Sequence, residues 1–405
     1  MIDNRFWALL PDALLQDSQT LQERTALVVD HTGQIQAITA ADLLPAEIPV
    51  ERFPGELWTA APIMAHAHLE SFDAPSSEWR GVGFSGWVEQ LLAWRMASAR
   101  LDAASSAALS LAELARFGCG LVATHVAEAG ADGHQQASSL PKVLAMAEVF
   151  APSVSDFDST MLDQLQQGQA LALHAPFSIA DDIARAVFKA ANGGLLSIHL
   201  GEHDEERQLL AEGSGPLAEL LRRRGRALKE QQWASPVDWL EQMGGMQRGT
   251  LVVHGGDLGA TELHRLAAAE VGVVFCPGTH QYFERPAPAF LHAATPLPAL
   301  GCDSRASNTQ LDPLHELTLA FAMMPDAGPQ AWWQALTARG AEVLLQPSWG
   351  SLAAGKTATI LRLELGDSTA PPLNARSICQ SLCEGWRPQL QVSAWPKAGT
   401  SVPNP

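Results

Sequence analysis

The chain has little positive charge. Its 405 residues include 26 lysines and arginines against 44 aspartates and glutamates, so the formal net charge is −18. Proteins that bind a polyphosphate backbone need concentrated positive charge. The dense basic run, Arg222, Arg223, Arg224 and Arg226, lies in a stretch with the pattern of a surface helix, and such runs are usually solvated. We therefore expect no nucleic-acid partner.

Long apolar runs and cysteines are scarce too. No stretch approaches the roughly 18 uninterrupted apolar residues of a membrane span, and the segment from Met1 to Leu15 lacks the basic region of a signal peptide. The five cysteines are scattered and odd in number, which argues against a disulfide framework and favours a reducing compartment. We expect a cytoplasmic protein without membrane contact.

The rest of the composition is that of a compact globular protein, with 47% hydrophobic and 17% charged residues. Between about residues 60 and 340, short apolar strands alternate with alanine-rich segments of helical period. Five of these strands lie at residues 121–123, 170–173, 195–198, 251–253 and 271–275. The alternation predicts a parallel sheet with crossover helices, as in a (β/α) barrel or a doubly wound sheet.

Both ends of the chain have the texture of β-strands. Residues 26–30 and 34–38 are apolar runs joined by a turn that contains Gly33, which predicts a hairpin. Residues 356–363 form a further alternating strand. We expect the termini to pair into one small β domain, residues 1–58 and 345–405, beside a barrel domain at residues 59–344.

Histidine, in contrast, is abundant, with 13 residues beside a single tyrosine. Several lie at the end of a predicted strand, which in a barrel is the face where active sites are built. His66 and His68 end the first strand, and alternate residues of a strand point the same way, so both imidazoles can reach one ion. The other side chains at strand ends are His125, His174, His199, His254 and Asp303.

These side chains favour a metal site. Three imidazoles and one carboxylate suit a borderline divalent ion such as zinc and leave a position open for water. Glu202 follows His199 by three residues and can face the same cavity without ligating the metal. A carboxylate there could move protons between the water and the substrate. The alternative is a solvated glutamate in the acidic run at residues 202–206.

The order of motifs resembles the amidohydrolase superfamily and, within it, the deaminase and chlorohydrolase branch. The segment from Ala65 to Glu70 resembles the H-x-H strand of that superfamily. Residues 174–178 resemble the H-A-P-Y-S segment of the branch, and residues 199–205 resemble its H-x-x-E-x-x-E segment. Later matches are Val253-His254-Gly255, Cys276-Pro277 and Cys302-Asp303-Ser304.

The resemblance implies an α/β fold, a (β/α)8 TIM-type barrel with a small β-sandwich domain formed by both termini. It implies one divalent metal, with Zn2+ ahead of Fe2+ or Mn2+, because the bridging lysine of binuclear members is absent from residues 171–178. The implied metal ligands are His66, His68, His199 and Asp303. Glu202 would shuttle protons, His254 would polarise the atom under attack, and Asp303 would also receive a proton.

A narrower likeness links the chain to members assigned to aminodeoxyfutalosine deamination in menaquinone synthesis. It depends on Trp87 and Arg95 after residues 68–71, and on aromatic residues after Cys276-Pro277. The implied reaction is hydrolytic deamination, through a metal-bound hydroxide, of the exocyclic amino group of an adenine-type nucleoside. The expected substrate contacts are His174 and His280, with Trp87 stacking on the base, Arg95 pairing with a carboxylate and Glu70 binding ribose hydroxyls.

Two other functions stay open on the sequence alone. The first is a metal-dependent enzyme that hydrolyses a different bond, as an amidohydrolase or chlorohydrolase that acts on another small heterocycle or amide would. The other is an inactive metal-binding scaffold, although all the expected ligand positions are present. The negative net charge still permits a small anionic substrate, provided that a local arginine such as Arg95 offsets the negative electrostatic potential of the protein. A homodimer is the expected assembly, as the commonest closed oligomer.

Overall fold

The computed structural model describes residues 6–128, 140–293, 295–366 and 372–395, which form a barrel and a separate sheet. The strands are β1 (Phe6–Leu15), β2 (Leu21–Glu23), β3 (Thr25–Asp30), β4 (Ile35–Ala40), β5 (Val50–Ala60), β6 (Ile63–Ala67), β7 (Leu121–Val126), β8 (Lys142–Val149), β9 (Leu171–Leu173), β10 (Leu196–Leu200), β11 (Thr250–His254), β12 (Gly272–Phe275), β13 (Ala299–Leu300), β14 (Thr359–Glu364) and β15 (Leu390–Ala394). The helices are α1 (Phe84–Arg95), α2 (Ala103–Arg116), α3 (Thr160–Gln166), α4 (Asp181–Ala191), α5 (Asp204–Glu212), α6 (Gly215–Arg223), α7 (Pro236–Gln242), α8 (Ala260–Ala268), α9 (Pro277–Tyr282), α10 (Pro313–Met323), α11 (Pro329–Leu336), α12 (Ala338–Val343) and α13 (Ala375–Cys383).

Strands β6 to β13 form a parallel sheet in chain order, and the end of the last strand returns to the first. The amide of Cys302, just after β13, donates to the His66 carbonyl at 3.0 Å, and the His68 amide donates to the Asp303 carbonyl at 2.9 Å. These bonds close the eight strands into a barrel, which confirms the predicted α/β barrel. The carboxyl ends of all eight strands therefore face one opening.

The sequence pattern does not predict one of the barrel strands. β8 carries Lys142 and Glu148 among its apolar residues, and most of the strand is only partly buried. It therefore lacks the fully apolar run that marks an internal parallel strand. The five predicted barrel strands are all present, with ends within three residues of those expected. The missed strand matters because it carries Glu148 into the site described below.

The two termini form one mixed sheet with the order β15-β14-β5-β1-β3-β4, and β2 pairs with β1. The predicted hairpin is confirmed as β3 and β4. Alternate residues of β1 and β3 enter two different apolar clusters, so both faces of the sheet are covered. β5 continues to Ala60, and α13 packs against α10 and α11 of the barrel. The segment after residue 345 thus contributes to both units.

Helices α1 and α6 pack against each other and share an apolar cluster that includes Trp87, Leu217 and Leu220. The Nε1 atom of Trp87 donates to the Ala306 carbonyl at 2.8 Å. This bond ties α1 to the loop that follows β13. We call residues 84–95 and 215–226, which comprise these two helices and the turn after α6, the outer wall.

All five cysteines are free and buried. This agrees with the expectation that the chain has no disulfide framework. Cys379 and Cys383 lie on α13 inside the apolar core, where burial raises the pKa of both thiols well above its ordinary value. Within the described ranges, no helix is both long and apolar enough to cross a membrane.

Candidate active site

Four side chains from three parts of the barrel meet at the carboxyl ends of its strands. His66 and His68 come from the end of β6, His199 from β10 and Asp303 from the loop after β13. The Nε2 atom of His199 lies 3.2 Å from Nε2 of His68 and 3.4 Å from Nε2 of His66. The Oδ1 atom of Asp303 lies 3.6 Å from Nε2 of His66 and 3.9 Å from Nε2 of His68. Three ring nitrogens and one carboxylate oxygen thus converge on one point.

Hydrogen bonds outside this cluster orient two of its members. The Nδ1 atom of His199 donates to the His174 carbonyl at 2.8 Å, which leaves the lone pair on Nε2. The Oδ2 atom of Asp303 accepts hydrogen bonds from the hydroxyls of Thr279 at 2.8 Å and Ser307 at 2.9 Å. Only its Oδ1 atom is then left to face the imidazoles. The donor atoms of His199 and Asp303 are therefore fixed by partners that do not belong to the cluster.

The protonation of the cluster follows from burial and from nearby carboxylates. Burial lowers the pKa of His66 to about 3 and that of His199 well below its ordinary value, so both rings are neutral. Burial also opposes protonation of His68, but Glu70 and Glu148 outweigh it and raise the pKa of His68 to about 9. Binding of a cation would displace that proton, because a ligating imidazole must be neutral.

The donor set fits a single divalent cation. Neutral imidazoles and a carboxylate are ligands that borderline ions accept. Ligands about 2.0–2.1 Å from a tetrahedral ion lie roughly 3.3–3.4 Å from one another, which is close to the nitrogen–nitrogen distances in the cluster. A fourth imidazole, His125, is nearby but is already engaged. Its Nε2 contacts the Ser197 hydroxyl at 2.8 Å and its Nδ1 lies 3.2 Å from Glu148.

Glu202 lies on the turn between β10 and α5, beside the cluster. Its Oε1 atom is 3.7 Å from Nε2 of His254, and the two residues form a close group with Asp303. Burial, together with the charges of Asp303 and Glu206, raises the pKa of Glu202 well above its ordinary value. A carboxyl group with this property can hold a proton near neutral pH, as a general acid must.

Glu206, in the first turn of α5, holds the Glu202 turn in place. It is 2% exposed, and its carboxylate accepts hydrogen bonds from the amides of Gly201 at 3.2 Å and Glu202 at 3.3 Å. Burial raises the pKa of Glu206 to about 8. The position of Glu202 is thus set by a second buried carboxyl group.

His254 ends β11 with a strained backbone. Its φ angle is 75°, and that of Asp303 is 53°, a left-handed conformation that is uncommon for residues other than glycine. Strain of this kind tends to occur at functional sites. Burial lowers the pKa of His254 to about 3. Its imidazole is therefore neutral and can donate or accept a hydrogen bond through Nε2.

A cavity of about 600 Å³ is lined by these groups and by the outer wall. This volume lies within the roughly 300–1,000 Å³ typical of small-molecule sites. Its inner end is formed by the strand-end residues His68, Glu148, His174, His199, Glu202, His254 and Asp303. The outer wall contributes Trp87, Leu91, Arg95, Leu217, Leu220, Leu221, Arg224 and Arg226, among others. The cavity thus joins a polar end, which carries the possible metal ligands, to an apolar wall with basic residues.

Residues 59–392 match the amidohydrolase family. The chain belongs to this family. An aminodeoxyfutalosine deaminase from Deinococcus radiodurans is 26% identical over 322 residues, which cover 73% of this chain and 75% of that protein.

Solved structures share the fold of this amidohydrolase. Helicobacter pylori aminofutalosine deaminase in complex with methylthio-coformycin superimposes with a TM-score of 0.77 at 18% identity, over 94% of this chain and 97% of that one. An adenosine deaminase from Xanthomonas campestris with bound zinc superimposes with a TM-score of 0.73 at 21% identity, over 95% of this chain and 90% of that one.

Three of the five expected substrate residues line the cavity of the amidohydrolase. They are Trp87, Arg95 and His174. The Nδ1 atom of His174 contacts the Ser178 hydroxyl at 2.7 Å, and its ring stacks on Phe150 with centroids 3.9 Å apart. The His174 ring is therefore held in one orientation at the cavity wall.

Glu70 is not among the residues that line the cavity, and its expected contact with ribose hydroxyls stays a prediction. Its side chain is fully buried, and its Oε1 atom accepts a hydrogen bond from Nη2 of Arg95 at 2.9 Å and lies 3.7 Å from Nδ1 of His68. Glu70 thus pairs with Arg95 and lies close to His68. The positive charge of Arg95 is matched within the protein by this carboxylate.

His280 lies outside the lining of the large cavity as well. Its Nε2 atom contacts the Pro286 carbonyl at 2.7 Å, and its ring borders a separate void of about 10 Å³ that it shares with Glu202 and His254. A void of this size is too small for a substrate group. The expected substrate contact of His280 stays a prediction, and the contact that the structure shows is with the Pro286 carbonyl.

Several residues that contact the candidate site of this amidohydrolase carry no signal in the sequence. Glu148 lies on the strand that the pattern does not predict, and its Oε2 atom is buried without a hydrogen-bond partner among the described residues. Thr279 and Ser307 hold Asp303, yet single hydroxyl residues in a helix and a loop give no signal. His125 carries a signal at a strand end, but the structure buries it beneath the site and not at the cavity edge.

Proposed function

We propose that this amidohydrolase is a metal-dependent deaminase that hydrolyses the exocyclic amino group of an adenine-type nucleoside. The proposal depends on one observation, which is that the cluster of possible metal ligands lies next to a carboxyl group suited to proton transfer. A three-histidine, one-aspartate cluster lies beside Glu202, whose pKa is raised. Both line a cavity large enough for a nucleoside. The named deaminases among its relatives support the same reaction.

Zinc is the metal that we favour. His66, His68, His199 and Asp303 would hold it, and the relative from Xanthomonas campestris is described with bound zinc. A divalent cation at such a site supplies an activated water molecule at neutral pH. Fe2+ and Mn2+ are alternatives that accept the same ligands.

Glu202 carries the proton transfers in this proposal. It accepts a proton from the attacking water and donates it to the ring nitrogen next to the reacting carbon. It then takes the proton of the hydroxyl group added to the ring carbon and gives it to the amino group, which leaves as ammonia while the carbonyl forms. The balance is that one water is consumed, one C–N bond is broken, one C–O bond is formed and one ammonia is released. The neutral His254 would donate to or orient the attacking oxygen, a role that requires a fixed position.

Aminodeoxyfutalosine is the specific substrate that we propose, which would place the protein in menaquinone synthesis. The support comes from the Deinococcus radiodurans relative, which bears that name and covers most of this chain. We also propose a carboxylate-bearing substrate, a cytoplasmic location and a homodimer. Nucleic acid is not proposed as a partner, because the chain carries a net charge of −18.

The test combines metal analysis with ammonia release from a substrate panel. The panel contains adenosine, 5′-methylthioadenosine, aminodeoxyfutalosine, an aminotriazine and an aminopyrimidine. We expect about one divalent ion per chain, with ammonia release and loss of adenine absorbance for the nucleosides. Turnover of the triazine or pyrimidine alone would instead indicate hydrolysis of another heterocycle. Absence of both bound metal and turnover would indicate an inactive scaffold.

A further inference from the structure

The basic run at the end of α6 divides into two pairs. Arg222 donates to a backbone carbonyl at 2.8 Å, and Arg223 pairs with Glu89 at 3.1 Å. Arg224 and Arg226 instead line the cavity. Within the described part of the chain, neither of these two guanidinium groups has a hydrogen-bond or ion-pair partner. All four arginines are exposed, as expected for a solvated run, but only the second pair also borders the cavity.

The turn after α6 explains this division. The amide of Gly225 donates to the Arg222 carbonyl at 2.9 Å, and the amide of Arg226 donates to the Leu221 carbonyl at 2.9 Å. Gly225 has a φ angle of 68°. These are the bonds of a Schellman motif, which ends a helix and reverses the chain at a left-handed residue. Arg224 and Arg226 flank that residue, and both contribute to the cavity.

The charges of the cavity single out this pair. The positive charge of Arg95 is matched by the buried carboxylate of Glu70 at 2.9 Å. Most other charged residues of the lining are carboxylates. Arg224 and Arg226 are therefore the uncompensated cations of a cavity that is otherwise acidic. Guanidinium groups bind carboxylates through paired hydrogen bonds, which gives such a pair a clear ligand class.

We propose that Arg224 and Arg226 bind a carboxylate at the end of the substrate that lies away from the reacting ring. Leucines of α1 and α6, namely Leu91, Leu217, Leu220 and Leu221, line the same cavity and suit an apolar arm. The substrate class is then an adenine nucleoside extended by an apolar arm that ends in a carboxylate. This inference rests on the proposed deaminase function, because the other end of the substrate occupies that site.

The experiment compares two substrates that differ only in charge. One is aminodeoxyfutalosine, as the carboxylate nucleoside, and the other is its primary carboxamide. In the holoenzyme, Arg224→Ala combined with Arg226→Ala should raise KM for the carboxylate on the order of tenfold, as expected for lost charge-assisted hydrogen bonds. The kcat value and the KM for the carboxamide should stay within about twofold, because the reacting end is untouched. The effect should shrink at high salt, since both arginines are exposed.

Arg223→Ala is the matched control, because it removes a neighbouring exposed arginine that does not line the cavity. It should leave both substrates unchanged. If the wild-type enzyme deaminates both nucleosides and the double variant affects them equally or not at all, the assignment of the arginines is wrong and the deaminase function stands. If the wild-type enzyme deaminates neither nucleoside, the proposed function fails, and this inference fails with it.

Discussion

The inner end of the cavity and its outer wall are built in opposite ways. At the inner end, His66, His199 and Asp303 are buried and their donor atoms are fixed by closure of the barrel or by hydrogen bonds. The outer wall consists of two helices and a turn, and it ends in two exposed arginines whose side chains have no partner in the part of the chain that the structure describes. A rigid end suits chemistry that needs fixed geometry. Substitutions in a wall of helices and loops can alter which substrate is bound without disturbing the geometry at the inner end.

The largest expected effect lies at the inner end, on Glu202. Glu202→Gln should reduce kcat by about 10²–10⁴-fold, because the amide can neither accept nor donate the transferred proton. The metal content, measured by elemental analysis of the purified protein, should stay at the wild-type value, because Glu202 is not a proposed ligand. Glu212→Gln, an exposed position on α5, is the control. Near-normal turnover in Glu202→Gln would remove the acid–base assignment.

A smaller effect should follow when the support of Asp303 is weakened. Thr279→Val removes one of two hydroxyl donors to Oδ2 of Asp303 and should lower metal affinity about 10–100-fold, as is typical for partners of metal ligands. Competition with a chelator would measure this change. Thr250→Val is a matched control, because the Thr250 hydroxyl is buried and has no hydrogen-bond partner within the described ranges. Equal affinities in the two variants would show that Thr279 does not position the ligand.

A buried carboxyl group on α10, that of Glu316, should make the free energy of unfolding of the chain depend on pH. Burial raises the pKa of Glu316, which accepts hydrogen bonds from Asn308 and from the Gly278 amide, from 4.5 to about 8. Between these values the folded chain binds a proton that the unfolded chain has released. Its contribution to stability is therefore present below the unfolded pKa of 4.5 and is lost as pH rises through about 8.

The corresponding test is urea unfolding of wild type and Glu316→Gln at several pH values within that window. The wild-type free energy of unfolding should fall relative to the variant by up to about 1.4 kcal/mol per pH unit, which is the value for one proton. Glu384→Gln, an exposed position after α13, should follow the wild-type slope. Parallel curves for wild type and Glu316→Gln would contradict the prediction.

The smallest expected effect lies at the outer wall. Trp87→Phe keeps most of the ring area but loses the hydrogen bond to the Ala306 carbonyl, which contributes about 1 kcal/mol. We expect kcat/KM to fall roughly fivefold through KM, with kcat unchanged. Trp94→Phe, on the same helix but outside the cavity lining, should leave both constants as they are. A change confined to kcat would show that Trp87 affects the chemical step, and the outer wall would then not be limited to substrate binding.

The barrel and its inner end are largely predictable from the sequence because both depend on short-range order. Apolar strands that alternate with helices predict the sheet, and polar side chains at strand ends predict one shared face. His66, His68, His199, His254 and Asp303 were located in this way. β8 escaped because its polar and partly buried residues do not resemble an internal strand.

The outer wall is less predictable because its contacts join distant parts of the chain. Glu70 and Arg95 are 25 positions apart, and nothing in the spacing indicates that they pair with each other instead of with a substrate. Arg224 and Arg226 resemble a solvated run until the turn at Gly225 brings them to the cavity. A periodic pattern describes the face of a helix, but it does not describe the path of the chain after the helix ends.

Two of the proposed metal ligands lie at the seam that closes the barrel, so metal binding should affect how well the protein resists proteolysis in a cell. His66 and Asp303 lie on opposite sides of the seam between β6 and the end of β13, where their backbones are hydrogen-bonded. An ion bound by both side chains would act as a clasp across the longest loop of the barrel, and loop closure is entropically unfavourable without it. Without the metal only the backbone hydrogen bonds would hold the seam, so local opening and proteolysis there should become more frequent. When the metal is scarce, we expect the abundance of the enzyme to fall along with its specific activity.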